Sequence, residues 1–470
     1  MSNPALNVVI IGGGFSGTML AVHLLQRAPE LSIAIVDPSN LPGRGLAYGT
    51  EYKCHLMNVP AGNMSALSDD PHHFLRWARE HYEPWVQPRS FLPRAVYGSY
   101  VASLLDRARG GTHRSRFRWI QDEVLSVRRV RTQYAIELRD GSELLTRSVV
   151  LAIGNFPPAN PNIPGITDAT KRYVPFAWSK QALTGIPSHG KVLLVGSGLT
   201  SLDLAIGLKA RGFNGKIHIL SRHGLIPQRQ QLSEAWPQFW SEASPRTTRG
   251  LLRLIRQQVR IAAVAGIEWP TVIDNLRPVT SQIWRSLPVP ERRRFLRHVR
   301  SYWEVHRHRV APEIGDLIED LIADGRIEIH GGRITQYRED DRGAEVTYHH
   351  RGSGVERSLH VDRVINCTGS ESDCRRIESS LLSSLFVQGL AKPDVLALGL
   401  DVDTNGALIS YSGNPSRSLF TLGPVRKGFL WETTAVPEIR KQAEALADHI
   451  AQHLYQGRRL PGREYEKSSA

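Results

Sequence analysis

Cysteine is scarce in this sequence. Three cysteines occur among the 470 residues, at Cys54, Cys367 and Cys374. A small and odd number of cysteines argues against a disulfide framework and suits a reducing compartment, so we expect a cytoplasmic protein. Because none of the three belongs to a Cys-x-x-Cys pair, the sequence also argues against a dithiol–disulfide reductase.

Long apolar runs are also lacking. No stretch reaches the roughly 18 apolar residues that a membrane-spanning helix requires. The first apolar run follows no basic segment, so we predict no signal peptide. We therefore expect a globular protein without a membrane partner, and its length is enough for two or three domains.

Lysine is missing from residues 222–312, although the whole chain carries a net charge of +14. This segment holds 16 arginines and six acidic residues, so that it alone carries +10. Arginine without lysine favours planar, bidentate contacts with anions. The patterns over residues 225–322 are helical, and five of the ten tryptophans lie there: Trp236, Trp240, Trp269, Trp284 and Trp303.

Three hypotheses fit this Arg- and Trp-rich segment. It is a solvated basic helical subdomain, a lid whose Arg and Trp side chains line a pocket for a small anion, or a basic face for nucleic acid or a membrane surface. The third is disfavoured because no nucleic-acid module is recognisable and the neighbouring segments resemble parts of an enzyme. We therefore expect no nucleic-acid partner.

The clearest motif is a glycine-rich turn near the N-terminus. Four β-branched residues at 8–11 lead into a Gly-x-Gly-x-x-Gly turn that comprises Gly12, Gly14, Phe15, Ser16 and Gly17. A helical pattern follows, and the next apolar run ends at Asp37, which can accept a hydrogen bond from a ribose hydroxyl. This order of strand, turn, helix, strand and acid predicts a dinucleotide-binding unit with the pyrophosphate at the helix N-terminus.

Other residues are expected near the same nucleotide. Arg44 lies in a glycine-containing loop after the second strand and can pair with a phosphate; a solvated loop residue is the alternative. Asn58 belongs to an irregular segment of the kind that often carries function. Gly154 follows the last of four predicted short strands, at 117–121, 124–129, 134–138 and 149–152, which we interpret as a β-meander.

A second nucleotide unit begins at residue 191. The apolar run 191–195 leads into a turn and helix that contain Gly196, Gly198, Leu199 and Thr200. The next strand pattern, at 216–220, ends in Ser221 and Arg222 rather than in an acid. A carboxylate there would repel the 2′-phosphate of NADPH, whereas Ser and Arg would bind it. The second unit should therefore prefer NADPH to NADH.

The C-terminal part of the chain is expected to complete the first nucleotide-binding unit. A strand pattern at 361–366 ends in a turn with Gly369, and another at 418–422 ends at Gly423. A long helix follows Thr433 and Thr434, and its N-terminus can stabilise negative charge. These four residues complete the predicted cofactor contacts.

Nine segments form a recognisable set: GGGFSG, GRGLAYGT, LMNVPAGNMS, DDPHHFLRWA, LAIGNFPP, GSGLTSLD, SRHGLIP, INCTG and LGPVRKGxxWETTAVPEIR. Over nearly the whole chain, this set resembles the FAD- and NAD(P)-binding family that includes the HpyO-type FAD-dependent urate hydroxylase and the CreE-type aspartate N-monooxygenase. The resemblance implies FAD on Gly12, Gly14, Gly17 and Asp37. It implies NAD(P)H on Gly196, Gly198 and Arg222. One departure is that Pro424, rather than Asp, follows Gly423.

The resemblance implies an FAD-dependent, NAD(P)H-consuming monooxygenase that hydroxylates a small anionic substrate with O2 through a C4a-hydroperoxyflavin. Urate is the first prediction, since a planar anion suits Trp stacking and bidentate Arg contacts. N-hydroxylation of an amino acid such as aspartate is the alternative, and a flavin NAD(P)H:acceptor oxidoreductase without oxygen insertion is another. The sequence identifies no catalytic residue and no metal site, and a homodimer is left open.

The predicted fold class is α/β, with two Rossmann-like dinucleotide-binding domains of the flavoprotein monooxygenase/reductase type and an inserted helical subdomain. Residues 1–160 and 367–470 are assigned to the FAD-binding domain. Residues 161–224 and 323–366 are assigned to the NAD(P)H-binding domain. The helical insertion covers residues 225–322.

Overall fold

The computed structural model describes residues 5–110, 116–167, 169–231 and 235–456. In chain order, its strands are β1 (Leu6–Ile11), β2 (Ile33–Asp37), β3 (Phe117–Gln121), β4 (Val124–Val130), β5 (Gln133–Leu138), β6 (Glu143–Leu151), β7 (Tyr173–Val174), β8 (Lys191–Val195), β9 (Lys216–Ser221), β10 (Ile327–Glu339), β11 (Ala344–His350), β12 (Glu356–Val361), β13 (Arg363–Asn366), β14 (Ala407–Ile409) and β15 (Pro415–Thr421).

The α-helices are α1 (Phe15–Arg27), α2 (Gly45–Tyr48), α3 (His73–His81), α4 (Arg94–Ala108), α5 (Leu199–Ala210), α6 (Thr248–Val264), α7 (Trp269–Asn275), α8 (Thr280–Ser286), α9 (Val289–His298), α10 (Arg300–Arg307), α11 (Pro312–Ala323), α12 (Ser380–Val387), α13 (Lys427–Leu430) and α14 (Val436–Gln456).

The first sheet is built around β1, which is buried along its whole length, as its continuous apolar sequence predicts for a parallel sheet covered on both faces. The strand order is β14-β15-β6-β1-β2-β3, and the β4–β5 hairpin joins it through β5. The predicted four-stranded meander is wrong in its first and last strands, because residues 149–151 of β6 pair in parallel with β1. Phe117–Gln121 pairs in parallel with β2 and so belongs to the central sheet. The antiparallel part consists of β4, β5 and the first half of β6.

The second sheet has the strand order β12-β11-β10-β9-β8-β13-β7. Strands β7, β13, β8, β9 and the first half of β10 run parallel, and the rest of β10 pairs antiparallel with β11. The chain therefore contains two mixed sheets, each with a parallel centre and flanking helices. This confirms the predicted α/β class with two Rossmann-like units.

Helices α6 to α10 lie between β9 and α11 in the chain and have an apolar core of their own, which includes Trp240 and Leu276. Trp284 of α8 stacks on Trp431, with ring centroids 4.9 Å apart, and its indole N–H donates to the carbonyl of Gly428 at 2.8 Å. These contacts fix the inserted helices to the segment around α13. Helix α11, which ends the predicted insertion, instead packs against the core of the second sheet.

Candidate functional site: a cleft between two glycine turns

A cavity of about 840 Å³ lies at the carboxyl ends of the parallel strands of both sheets. Open α/β sheets bind their ligands at this edge. The walls come from the turns after β6, β8, β9 and β13, and from residues 57–64, α10 and the chain around α13. Ten of the predicted site residues line it: Asn58, Gly154, Gly196, Gly198, Leu199, Thr200, Ser221, Arg222, Gly369 and Thr434.

The other predicted residues lie in the first glycine turn or beside it. Gly12 has a positive φ of 105°, and a Cβ atom there would lie 2.3 Å from the carbonyl oxygen of Ala152. A Cβ on Gly17 would lie 2.0 Å from the carbonyl oxygen of Gly12. Both positions therefore require glycine for the turn and the close packing of α1, as the motif predicts.

Gly14 differs from its neighbours because the space beside it is open. A Cβ atom there would meet only Gly45, with its Cα at 3.6 Å. Gly14 caps α1 without a side-chain hydrogen bond, and the first turn of that helix contains no acid. Unpaired N–H groups and an open approach are the features that a dinucleotide pyrophosphate needs, so the residues present fit FAD at this turn.

Asp37 is engaged inside the turn. One carboxylate oxygen accepts from the N–H of Gly13 at 2.6 Å, and the other accepts from the N–H of Ser39 at 2.8 Å. The Ser39 hydroxyl also donates to that second oxygen at 2.6 Å, so the oxygen facing Gly13 is the one that keeps an acceptor site for the predicted ribose contact. Arg44 instead donates to the hydroxyl of Ser99 in α4 at 3.2 Å, and its phosphate contact stays a prediction.

The C-terminal loop covers this first turn. A Cβ atom on Gly423 would lie 2.7 Å from the hydroxyl oxygen of Ser16, so glycine lets the loop approach α1. Phe15, next to Ser16, is buried. The hydroxyl of Thr433 is fully buried and donates to the carbonyl of Gly423 at 2.8 Å, so Thr433 holds the loop while Thr434 lines the cleft before α14.

The second glycine turn repeats the construction of the first. Gly196 has a φ of 112°, and a Cβ atom there would lie 2.4 Å from the carbonyl oxygen of Cys367. Gly12 approaches Ala152 after β6, and Gly196 approaches Cys367 after β13 in the same way. A Cβ atom on Gly198 would meet nothing within 4 Å, so the N-terminus of α5 is open to an anion.

A cationic corner lies at the end of β9. The hydroxyl of Ser221 accepts from Ser197 at 2.8 Å and from the N–H of Gly224 at 3.0 Å, which fixes the turn that carries Arg222. Arg351, in the turn between β11 and β12, donates to the carbonyl of Arg222 at 3.3 Å and contacts the His223 ring. Sequence reasoning missed Arg351, because 129 positions separate it from Arg222.

A charged wall lines another part of the cleft, and sequence reasoning missed its role. It is formed by Arg300, Glu304 and His308, in and just after α10, and by Lys427 at the start of α13. Arg300 Nε donates to Glu304 Oε1 at 2.7 Å. Lys427 Nζ lies 4.9 Å from the ring centroid of Trp431.

The electrostatics of this wall leave it with more positive than negative charge. Burial opposes ionisation of Glu304, but the cations of Arg300 and Lys427 outweigh it and lower the pKa of that carboxyl. Burial and the nearby Arg300 lower the pKa of Lys427 to about 8. Burial and the cation of Arg307 lower the pKa of His308 to about 4, so its ring is neutral at pH 7.

The Arg- and Trp-rich insertion reaches the cleft mainly through α10. No tryptophan lines the cleft within the part of the chain that the structure describes, because Trp240 and Trp284 are buried in the packing of the inserted helices. Arg249, Arg253 and Arg256 of α6 are exposed. The solvated-subdomain hypothesis therefore describes α6, and the lid hypothesis fits only α10.

Cys367 borders the cleft but is 4% exposed, and burial raises the pKa of its thiol. A thiol held in its protonated form is a poor nucleophile. Cys367 therefore supports the turn after β13 as a structural residue.

Comparison with known proteins agrees with this geometry. Residues 9–156 match the family model described as FAD-NAD(P)-binding. A curated relative, the uncharacterized protein YdhS of Escherichia coli K12, is 24% identical over 256 residues, which are 47% of this chain and 46% of YdhS. The match thus spans about half the length of that relative.

Two solved structures resemble nearly the whole chain. The L-lysine 6-monooxygenase from Pseudomonas syringae has a TM-score of 0.68 at 16% identity, over 96% of this chain and 100% of that chain. The ornithine N-hydroxylase KtzI from Kutzneria sp. 744, with reduced FAD, NADP+ and L-ornithine, has a TM-score of 0.63 at 14% identity, over the same shares. These likenesses establish the fold.

Among the described residues, no helix has the length and apolarity that crossing a bilayer would require. The two glycine turns, the family match and the structural likeness all indicate the same cofactors. Residues 9–156 thus match the FAD-NAD(P)-binding family model, and nearly the whole chain shares its fold with the L-lysine 6-monooxygenase and KtzI structures.

Proposed function

We propose that this protein is an FAD-dependent, NADPH-consuming monooxygenase that N-hydroxylates a small amino acid. The observation that carries the proposal is one continuous cleft, which joins the second glycine turn and the flank of the first to the charged wall of α10 and Lys427. A nicotinamide, a flavin and a small substrate can meet in such a cleft without a large movement of the chain.

The reaction consumes one O2, one NADPH and one proton for each amine. One oxygen atom enters an N–H bond to give the hydroxylamine, and the other leaves as water. Bound FAD supplies the chemistry that passes the electrons of NADPH to O2. The protein positions the three reactants and excludes water, for which the buried side chains of Met57 and Met64 in the cleft wall are suited.

The charged wall favours an amino acid with a net negative charge. Arg300 and Lys427 provide two cations against the single carboxylate of Glu304, so the wall can bind substrate carboxylate while Glu304 orients the amine. The two cations lower the pKa of a bound amine and the Glu304 carboxylate raises it, so the net positive charge of the wall favours the uncharged amine. That form carries the lone pair that attacks oxygen.

N-hydroxylation has more support than the ring hydroxylation of urate. The urate prediction depended on tryptophan stacking, and the tryptophans of the insertion are packed away from the described cleft wall. The similar structures include a lysine monooxygenase and an ornithine N-hydroxylase, both named for amino-acid substrates. We therefore place amino acids ahead of urate.

The test is NADPH oxidation by the FAD-loaded protein in air, with a panel of acidic, neutral and basic amino acids and urate. We expect an acidic amino acid to stimulate oxidation and to give a product 16 mass units heavier, with little peroxide. Peroxide without a hydroxylated product would mean that the compound is only a mimic. Slow NADPH oxidation that no compound on the panel changes would favour the plain NAD(P)H:acceptor oxidoreductase.

A paired substitution separates substrate binding from cofactor binding. Glu304→Gln should raise the KM for the amino acid at least about tenfold through loss of a charged hydrogen bond, and leave the KM for NADPH unchanged. Glu242→Gln is the matched control, since Glu242 is an exposed residue of the insertion outside the cleft wall. Equal KM values for the amino acid in the two variants would show that the charged wall does not bind the substrate.

A further inference from the structure

A cluster of potential metal ligands lies on the second sheet, away from the walls of the cleft. His218 of β9 is paired in register with Glu328 of β10, so the two side chains project from the same face. His330 lies two residues beyond Glu328 and shares that face, because side chains alternate along a strand. One ligand atom from each of the three lies within 4.8 Å of the others.

We propose that His218, Glu328 and His330 bind a divalent transition-metal cation of the zinc class. His218 Nδ1 lies 3.0 Å from His330 Nε2 and 3.4 Å from Glu328 Oε2. Ligands about 2.1 Å from a tetrahedral ion lie about 3.4 Å from one another. The cluster is therefore set close to the spacing that an ion between the three groups requires.

The surroundings of His330 support this assignment. The hydroxyl of Tyr348 lies 3.1 Å from His330 Nδ1, on the side of the ring away from His218. Metal-binding histidines use their second ring nitrogen in this way, because the hydrogen bond fixes the ring and its tautomer. Tyr348 is 1% exposed and so holds its position firmly.

The ligand set indicates the class of ion. Two imidazoles and one carboxylate suit zinc, nickel or cobalt, whereas magnesium and calcium prefer oxygen ligands alone. His218 is 6% exposed, so its ring is held within the packed face of the sheet. A water molecule would complete a four-coordinate site on the open side at Glu328, whose side chain is 49% exposed.

Lys216 is the competitor for this site. Its ammonium lies 2.9 Å from Glu328 Oε2, the oxygen that also faces His218. The ion must displace this exposed contact, which is inexpensive because exposed ion pairs contribute little. Replacement of Lys216 should therefore strengthen metal binding, whereas a plain hydrogen bond between the two histidines predicts no such effect.

The test uses tag-free, FAD-loaded full-length protein that has been treated with a chelator. We titrate it with Co2+, whose visible absorption reports four-coordinate nitrogen and oxygen ligation, and with Zn2+ in competition. We expect one ion per chain, with binding lost in His330→Ala and tightened in Lys216→Met. Tyr348→Phe should weaken binding by about tenfold, since it removes the hydrogen bond that orients His330.

His349→Ala is the matched control, because His349 is exposed and neighbours Tyr348 on β11. Glu328→Gln tests the site without disturbing the fold, since this side chain is exposed. The variant should bind the ion more weakly, and the melting temperature of its metal-free form should be unchanged. The assignment is wrong if the wild-type protein takes up no ion, or if His330→Ala and Glu328→Gln bind it as tightly as His349→Ala does.

Discussion

The cationic corner at the end of β9 gives the sharpest prediction about the choice of cofactor. Arg222 follows the strand where many dinucleotide units carry an acid, and Arg351 reaches the same place from the β11–β12 turn. We expect both guanidinium groups to contact the 2′-phosphate of NADPH. NADH lacks this phosphate, so loss of either arginine should leave NADH binding unchanged.

The magnitude follows from the geometry. A hydrogen bond to a charged group contributes about 1.5–3 kcal/mol, which is about 10- to 150-fold in affinity. Because Arg222 and Arg351 are both exposed, screening places each contact near the lower limit. Arg222→Ala and Arg351→Ala should therefore each weaken NADPH binding by about tenfold, and the effect should shrink as salt is added.

The assay is the dissociation constant for NADPH and for NADH in each variant, measured at low and at high salt. Arg342→Ala is the control, since Arg342 is an exposed arginine in the turn between β10 and β11. Equal losses for NADPH and NADH would refute the reasoning, as would a loss in Arg351→Ala no larger than in Arg342→Ala. If Arg222→Ala alone weakens NADPH binding, then Arg222 contacts the 2′-phosphate and Arg351 does not.

Three further predictions concern the flavin turn, the charged wall and the contact between the two nucleotide units. Gly14→Val should give a folded protein that does not retain FAD, because the added atoms enter the open space at the first turn; a yellow variant would contradict the FAD placement. Gly12→Val should lose FAD and also have a lower melting temperature, because the added atoms meet the backbone. His308 has a pKa of about 4 in the folded chain and about 6.5 when unfolded, so the unfolded chain binds more protons between these values. The neutral His308 ring therefore makes the free energy of unfolding fall by up to ~3 kcal/mol as pH falls from 6.5 to 4. In His308→Gln, the unfolding free energy measured with urea should depend less on pH over this range, and an unchanged pH dependence would disprove this. Arg94 pairs with the buried Asp203 of α5 at 2.7 Å, so Arg94→Ala should lower the free energy of unfolding by about 3 kcal/mol. Adding Asp203→Asn should restore part of this loss, and strict additivity of the two changes would show that the pair is not coupled.

The sequence predicts the glycine turns well because their constraints are local. Gly12 and Gly196 each need a positive φ and room for a carbonyl group, and no other residue meets both requirements. The helix and strand patterns beside them follow from apolar spacing over a few residues. The predicted meander was wrong at Phe117–Gln121 and at residues 149–151, because a short apolar run does not reveal whether its partner is parallel or antiparallel.

The charged wall and Arg351 could not be predicted in this way. Arg300 and Lys427 approach one another only because α8 and α10 dock on the segment around α13. The same holds for His218 and His330, which are 112 positions apart and meet through the pairing of β9 with β10. Sequence spacing carries no signal for contacts that depend on docking between distant segments.

The arginines of the insertion show how a correct chemical inference can point to an unexpected partner. Arginine without lysine indicated planar, bidentate contacts with anions, and such contacts exist. Arg277 binds Glu438 through two nitrogens at 2.8 and 3.0 Å, and Arg307 binds Glu432 at 3.0 and 2.9 Å. Their anions are carboxylates of the C-terminal segment rather than a ligand.

The buried bidentate pair of Arg307 with Glu432 explains why α10 can serve as a wall of the cleft. The Arg307–Glu432 pair is about nine-tenths buried on both sides, so breaking it would leave an uncompensated charge in the interior. The insertion is thereby held against the chain that leads into α14, with Arg300 and Glu304 facing the cleft on the same short helix. Rigid placement of these two side chains is what recognition of a small charged substrate requires, and the exposed arginines of α6 have no part in it.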